Sequence, residues 1–212
     1  DGAESPGEGL RQHLEAVQAF MRRLREEIPG LVIENCASGG HRLEPSFMAL
    51  CAMGSFSDAH ETVSIPIIAA NLHRLILPRQ SQIWCVLHAT DSLQRMRYGL
   101  TATLLGRMAL SGDFHALDTA QLDEVKRAQR FYAAVAPIIR DGRSRIVRDM
   151  GLSWNEPRGW QAVVRHTGTE ALVEVHGHSR SALIPVLQGL REQKREINDV
   201  AMQVVADRLG IT

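Results

Sequence analysis

The first 30 residues carry one long amphipathic pattern that predicts a helix. Ser5-Pro6-Gly7-Glu8 is typical of a helix start, because a serine can cap the helix and a proline is favoured in its first turn. Apolar side chains then recur at helical spacing, at Leu10, Leu14, Val17, Met21, Leu24 and Ile28. Pro29-Gly30 predicts the end of this helix.

Short apolar runs alternate with helical segments over the next 50 residues. Leu31-Val32-Ile33 is a β-branched run that predicts a strand buried on both faces, as in a parallel sheet. Pro45 and Pro66 can each open a helix, and Pro78 ends the second one. The predicted elements are a strand at 31–35, a helix at 45–53, a strand at 55–57 and a helix at 64–77. This order favours parallel βα units.

Two further helices and then a change of period follow. Asp91 with Gln94 and Asp118 with Gln121 resemble capping boxes that open helices reaching Met108 and Ile139. After residue 142 the pattern becomes that of strands, at about 146–147, 160–164 and 171–175. Residues 197–209 fit a helix or a strand. We therefore predict an α/β domain in residues 1–142 and a small antiparallel β-domain in residues 143–212.

Composition narrows the functional classes. The 212 residues contain 24 basic and 24 acidic side chains. This balance of charge gives no indication that the chain binds nucleic acids or anionic membranes, and it favours a small or neutral ligand. No apolar run reaches the length that spans a bilayer. The three cysteines are odd in number and lack the spacing of a metal site, so we expect no disulfide framework and a cytoplasmic location.

Two polar turns are the strongest candidates for chemistry. Residues 34–42 follow the first predicted strand, and residues 57–61 follow the second, and each turn precedes a predicted helix. In a βα barrel, the loops after the carboxyl ends of the strands form the active-site face. We therefore expect the functional residues in these two turns.

The residues of these turns resemble a known family. The run from Cys36 to Glu44, Ser57-Asp58, and the stretch from Asn71-Leu72-His73-Arg74 to Leu110-Ser111-Gly112-Asp113-Phe114 are similar to the carboxyl-terminal part of glycoside hydrolase family 36, the α-galactosidases. The resemblance covers nearly the whole chain. It implies the C-terminal portion of a (β/α)8 TIM barrel followed by a small antiparallel β-sandwich, and retaining hydrolysis of α-galactoside oligosaccharides by two aspartates, without a cofactor or metal.

The resemblance gives Asp58 the role of general acid/base. A retaining glycosidase needs a nucleophilic carboxylate and a second carboxyl about 5 Å away, which protonates the leaving oxygen and later deprotonates water. Asp58 is the position that matches the second carboxyl. The alternative interpretation of Asp58 is a helix N-cap, since aspartate before a helical run commonly accepts backbone N–H bonds.

The same resemblance places the galactose subsite in the first turn. It assigns substrate contacts to Cys36, Ser38, Gly39 and Gly40, where small residues let backbone N–H groups approach the sugar, and a supporting role to Arg42. Cys36 has two other interpretations, a buried inert thiol or a nucleophile with His41 or His60 as its base. Arg42 has the alternative of a structural partner for Glu44.

Several departures from the family pattern affect the expectation. His41 replaces the usual third glycine, Ser55 with Phe56 stands where an aromatic residue precedes Ser-Asp, and Glu61 replaces an aspartate, so galactose is less firmly predicted than α-glycoside chemistry. The family's nucleophile lies in a Lys-x-Asp motif, which residues 1–9 lack. We therefore expect the chain to be a portion of an enzyme and to be inactive alone. We also expect an open strand edge at 31–35, the N-terminal half of the enzyme as a partner, and assembly into homo-oligomers.

Two other classes of function remain open from the residues. Asp58, His60 and Glu61 supply oxygen and nitrogen ligands, so a metal-dependent hydrolase is one alternative, although adjacent positions in one turn rarely reach one ion. A non-catalytic carbohydrate-binding module is the other. In that case Trp154 and Trp160 of the β-domain would stack on sugar rings, although a tryptophan at strand spacing is more often a core residue.

Overall fold

The structure is a computed structural model that describes residues 2–36, 40, 42–58, 63–148, 160–167 and 171–177. Within these ranges it contains five α-helices: α1 Pro6–Glu27, α2 Pro45–Met48, α3 Ile65–Leu72, α4 Leu93–Ala102 and α5 Thr119–Asp141. It also contains seven strands: β1 Glu34–Asn35, β2 Met53–Ser55, β3 Ser81–Leu87, β4 Arg107–Gly112, β5 Arg143–Arg148, β6 Trp160–His166 and β7 Ala171–Gly177.

The first four strands form one parallel sheet in the order β1-β2-β3-β4. Helices α2, α3 and α4 connect successive strands, so each neighbouring pair of strands is joined by a helical crossover. The prediction of an α/β fold with parallel βα units is confirmed, while closure of these strands into a barrel stays a prediction. Within the described residues β1 pairs only with β2, and β4 pairs only with β3.

Helix α1 begins as the sequence predicts but buries none of its residues. The Ser5 side chain accepts a hydrogen bond from the backbone N–H of Glu8 (3.2 Å), and the last helical residue is Glu27, just before Pro29-Gly30. No residue of α1 is buried, and Leu10 and Phe20 are 59 % and 51 % exposed. Within the apolar stripe, Leu10, Leu14 and Ile28 are therefore exposed, whereas Val17, Met21 and Leu24 are half-buried.

The first strand and the second helix differ from their predictions. Leu31 and Val32 are 39 % and 59 % exposed, so the prediction of a strand buried on both faces is wrong there; only residues 34 and 35 pair with β2. Helix α2 ends at Met48 rather than Met53, because residues 53–55 form β2 instead. A β-carbon on Gly54 would lie 2.7 Å from Cδ2 of Leu43 and 3.3 Å from the carbonyl oxygen of Asn35, so β2 packs closely against its neighbours at this position.

Strands β3 and β4 were not predicted. The sequence predicts no element for the run that forms β3, and the predicted helix that reaches Met108 includes only the first two residues of β4. Helix α4 instead ends at Ala102, and a β-carbon on Gly106 would lie 2.3 Å from the carbonyl oxygen of Ser81. Glycine is therefore needed where the chain enters β4 beside β3.

The capping predictions for the last two helices have different outcomes. Ser92 caps α4, because its hydroxyl accepts from the backbone N–H of Arg95 (3.2 Å), so the assignment of Asp91 to this cap is wrong. The capping box of α5 is confirmed. Asp118 accepts from the backbone of Gln121 (2.8 Å), and the Gln121 side chain accepts from the backbone of Asp118 (3.0 Å).

The last three strands form a separate antiparallel sheet in the order β5-β6-β7. This sheet begins at Arg143, where the change of period predicted it, and it packs on the α/β part of the chain. Gln161 on β6 donates to the carbonyl of Pro66 (2.7 Å), and Arg165 donates to that of Leu105 (2.9 Å). A sandwich, which needs a second sheet, stays a prediction, and Trp154 and the segment 197–209 lie outside the described residues.

Buried side chains lie mainly between the parallel sheet and its helices. Ile83, Leu87 and Leu105 have no exposed surface. One cluster joins β3 to α3 and to Val163 of the antiparallel sheet, and a second joins the carboxyl half of β3 to α4 and α5. This packing joins β3 to α3, α4 and α5 and to the antiparallel sheet.

Candidate active site

The carboxyl ends of the four parallel strands bring polar side chains to one edge of the sheet. Cys36 follows β1 directly, Asp58 lies three residues after β2, His88 follows β3, and Asp113 follows β4. Because the strands are parallel, their carboxyl ends share this edge, which is where βα folds place their active sites. Two of these residues, Cys36 and Asp58, were predicted from the sequence.

The segment 36–42, between β1 and Leu43, is called the bend. Asn35 closes it. Its side chain is 3 % exposed, and its amide donates to the carbonyl of Arg42 and lies 3.7 Å from Sδ of Met48. The backbone N–H of Leu43 donates to the carbonyl of Gly40 (3.3 Å). These contacts tie Asn35, before the bend, to Arg42 at its end, and Gly40 to Leu43.

Gly40 places the bend against the chain segment that leads to Asp58. Its φ is +91°, in the left-handed region that favours glycine, and a β-carbon there would lie 3.1 Å from both Cα and O of Phe56. Phe56 precedes Asp58 by two residues. The structure thus brings one of the predicted substrate residues next to the segment that carries the predicted acid.

Asp58 is exposed and has no hydrogen bond or ion pair to another described residue. Helix α3 begins at Ile65 with Ser64 at its N-cap, so the alternative interpretation of Asp58 as the cap of this helix is wrong. An exposed carboxyl with no described partner can contact a ligand without first breaking a structural bond.

The cysteine of the bend is exposed, whereas the other two are buried. Cys36 is exposed, so its interpretation as a buried inert thiol is wrong. Cys51 and Cys85 lie in the interior, and burial raises the pKa of both thiols, that of Cys85 to about 12. Ser38, Gly39, His41 and His60 lie outside the described residues.

Arg42 and Glu44 do not pair with each other. The Glu44 carboxylate caps α2, accepting from the backbone N–H groups of Ser46 (2.8 Å) and Phe47 (3.0 Å), and the bond from the Ser46 hydroxyl is the main reason that the pKa of Glu44 is lowered. Arg42 is exposed and makes no ion pair within the described residues. The alternative of an Arg42–Glu44 structural pair is therefore wrong, and the guanidinium is available to a ligand.

His88 and Asp113 form a pair that the sequence analysis missed. Nδ1 of His88 lies 3.0 Å from Oδ2 of Asp113, and the backbone N–H of His88 donates to Asp91 (2.8 Å). A carboxylate that accepts the Nδ1 proton leaves Nε2 as a hydrogen-bond acceptor in the neutral ring. The signal in the sequence was the apolar run from Ile83 to Leu87 immediately before His88 and the shorter run from Met108 to Leu110 three residues before Asp113, which are patterns of parallel strands.

The described residues contain no group of three or more His, Cys, Asp or Glu side chains that could hold a metal ion. His60 and Glu61, on which the metal alternative depends, lie outside these residues. None of the described helices combines the length and the apolar character needed to cross a bilayer.

The sequence matches no family model, and no curated protein matches it at a significant level. Solved structures do match. The α-galactosidase AgaB from Geobacillus stearothermophilus has a TM-score of 0.63 at 17 % identity over 73 % of this chain and 21 % of its own. For an AgaA variant from the same organism in complex with raffinose, the TM-score is 0.62 at 17 % identity, over 73 % of this chain and 22 % of its own.

A third match is the α-galactosidase from Lactobacillus brevis, with a TM-score of 0.56 at 17 % identity over 69 % of this chain and 21 % of its own. The chain thus spans about a fifth of the length of each of these structures. Identities this low support a statement about fold alone. The resemblance suspected from the sequence is confirmed at that level: the chain shares the fold of the corresponding part of the family 36 α-galactosidases.

Proposed function

We propose that this chain supplies the acid/base half of a retaining α-galactosidase active site, with Asp58 as the proton donor. In the first step the Asp58 carboxyl gives its proton to the leaving oxygen, and in the second the carboxylate takes a proton from the attacking water. The observation that carries the proposal is the contact between Gly40 and Phe56, because it joins the predicted sugar-binding bend to the segment of Asp58.

The nucleophile of this mechanism is a second carboxylate about 5 Å from Asp58. We place it on a further parallel strand, beside the edge of β1 that has no partner among the described residues. An unpaired strand edge is a site for adding another strand, and adjacent strands of a barrel bring their carboxyl ends together. In this proposal residues 1–142 belong to a (β/α)8 barrel and residues 143–212 to its C-terminal β-domain.

The galactose subsite is the bend after β1. Backbone N–H groups at Ser38, Gly39 and Gly40 and the thiol of Cys36 contact the ring hydroxyls, and the exposed guanidinium of Arg42 donates further hydrogen bonds. The AgaA complex with raffinose supports an oligosaccharide as the substrate. The absence of described partners for Arg42 and Asp58 also supports this arrangement, because both groups are available at neighbouring loops.

The test is Asp58→Asn in the complete protein, assayed on α-galactosides with different leaving groups. Proton donation matters most when the leaving oxygen is basic, so we expect turnover of alkyl galactosides to fall by about 10²–10⁴ and that of nitrophenyl galactosides to fall much less in the first step. Asp123→Asn, on the exposed side of α5, is the control for losing one carboxylate. Equal losses for both classes of substrate would refute the acid role.

A further inference from the structure

A concave region lies at the opposite edge of the parallel sheet from Asp58. It is a cleft of about 950 Å³, and its lining includes Ile33, Ala52 and Gln80, each of which immediately precedes a strand, and Arg107, the first residue of β4. The amino ends of the four strands therefore form one wall. Nothing in the proposed glycosidase mechanism uses this edge.

Five arginines line this cleft, and none of its described lining residues is acidic. They come from separate places in the chain, namely the end of α1, the turn after α3, the turn before β3, the start of β4 and the end of α5: Arg25, Arg74, Arg79, Arg107 and Arg140. The whole chain carries equal numbers of acidic and basic residues. The positive charge is thus concentrated by the fold and is not a run of basic residues in the sequence.

Two of the five arginines have a structural explanation. Arg25 and Arg140 lie in the last turns of α1 and α5, where a cation is favourable at the negative end of a helix. Arg25 also donates to the carbonyl of Ala49 (3.0 Å), and Arg140 pairs with Asp141 (2.7 Å).

The other three arginines have no such position at the end of an α-helix, although Arg79 is close enough to Asp141 to help lower the pKa of that carboxyl. Arg74, Arg79 and Arg107 lie outside the α-helices, and none makes an ion pair of 4 Å or less within the described part of the chain. Arg107 is half-buried, and its guanidinium contacts Sδ of Met53 (3.2 Å). A ligand in the cleft can therefore accept hydrogen bonds from this guanidinium without displacing a carboxylate of the described residues.

We propose that this cleft binds a phosphorylated small molecule. The guanidinium group matches phosphate oxygens with two parallel hydrogen bonds, and several arginines around one cleft suit a ligand with one or more phosphates. Its volume is that of a small-molecule site. The buried Ile76 and Ile139 form an apolar wall for the uncharged part of the ligand. A nucleic acid is disfavoured because the chain as a whole carries no net positive charge.

Titration calorimetry of the chain with pyrophosphate and with a hexose 6-phosphate tests the proposal, with the uncharged hexose as a reference. We expect saturable binding of one phosphorylated ligand per chain and none of the hexose. Arg74→Gln and Arg107→Gln should each weaken binding by about tenfold, the effect of one lost charge-assisted contact. Arg130→Gln, on α5 but outside the cleft lining, should leave the affinity unchanged.

Binding that does not saturate, or an equal loss with Arg130→Gln, would overturn the proposal. So would single-stranded RNA that binds more tightly than pyrophosphate and competes with it. Arg74 is exposed, so its substitution tests the cleft even if Arg107→Gln weakens the fold at β4. The outcome is independent of the glycosidase proposal, since the assay reads binding at the amino ends of the strands and Asp58 lies beyond their carboxyl ends.

Discussion

The α-carbon of Gly40 lies so close to Phe56 that a β-carbon on the glycine would sit 3.1 Å from both Cα and the carbonyl oxygen of Phe56. This contact joins the bend after β1 to the end of β2. It is the structural basis for treating the bend and Asp58 as one site, because β1 and β2 are neighbouring parallel strands and the contact continues beyond their carboxyl ends.

Gly40→Ala should destabilise the chain more than Gly30→Ala. Both glycines have positive φ (+91° and +84°), but a β-carbon at Gly30 would meet nothing within 4 Å. We expect Gly30→Ala to cost about 1–2 kcal/mol from backbone strain alone and Gly40→Ala about 1–3 kcal/mol more from steric overlap. Urea unfolding of both variants measures the difference, and equal costs would contradict the contact with Phe56.

A thiol reagent should modify one cysteine per native chain. Cys36 is exposed, whereas Cys51 and Cys85 are buried, and burial raises the pKa of Cys85 to about 12, which removes its reactive thiolate. The Cys36→Ser variant should therefore show no fast labelling before unfolding. In the complete protein we expect 1-deoxygalactonojirimycin, which AgaA binds, to slow the labelling of Cys36. Fast native labelling of the Cys36→Ser variant would refute this assignment.

His73 should make the stability of the chain fall at mildly acidic pH. Burial, with a smaller contribution from the Arg165 guanidinium, lowers the pKa of His73 to about 4, from about 6.5 in the unfolded chain. As the pH falls from 6.5 to 4, the unfolded state gains a proton that the folded state does not bind. The free energy of unfolding therefore decreases across this window, by about 3 kcal/mol at most.

The matched variants for this prediction are His73→Gln and His13→Gln. Glutamine keeps a donor for the carbonyl of Leu105, which His73 Nε2 contacts at 2.8 Å, but it does not titrate. His13, on the exposed helix α1, is the control for losing a histidine. A pH dependence between 6.5 and 4 that is unchanged in His73→Gln would show that another group causes it.

The pair of His88 and Asp113 should contribute little to stability. The two side chains are 41 % and 50 % exposed, and ion pairs with this degree of exposure couple by less than about 1 kcal/mol. A double-mutant cycle with His88→Ala and Asp113→Ala measures the coupling in urea unfolding. In the complete protein the same substitutions should lower α-galactoside turnover, since the pair lies at the edge of the candidate site. A large coupling free energy together with unchanged turnover would show that the pair has only a structural role.

The sequence predicted the long helices better than the parallel sheet. The ends of α5 follow from Asp118, Gln121 and Gly142, because caps are local chemistry that does not depend on the rest of the fold. Strands β3 and β4 were missed because a short apolar run fits a buried helix as well as a buried strand. Their identity depends on pairing with each other, and Met108 happened to continue the helical spacing of the preceding stripe.

Only part of the candidate site was predicted, because the rest of it also depends on how the strands pair. Cys36, Gly40 and Asp58 were identified through the family resemblance of local motifs, and their neighbours His88 and Asp113 required the strand order. The arginine cleft could not be predicted either, since its five cations are separated by as much as 115 positions in the sequence. Convergence of this kind is a property of tertiary structure.

The central claim is that Asp58 is the acid/base of a retaining mechanism, and azide rescue of Asp58→Ala in the complete protein tests it most directly. With a nitrophenyl α-galactoside, the first step needs little acid, and azide then attacks the galactosyl-enzyme without needing a general base. We expect azide to accelerate turnover and to yield the α-galactosyl azide. Formation of the β-azide would identify Asp58 as the nucleophile, and turnover at the wild-type rate without azide would contradict any catalytic role.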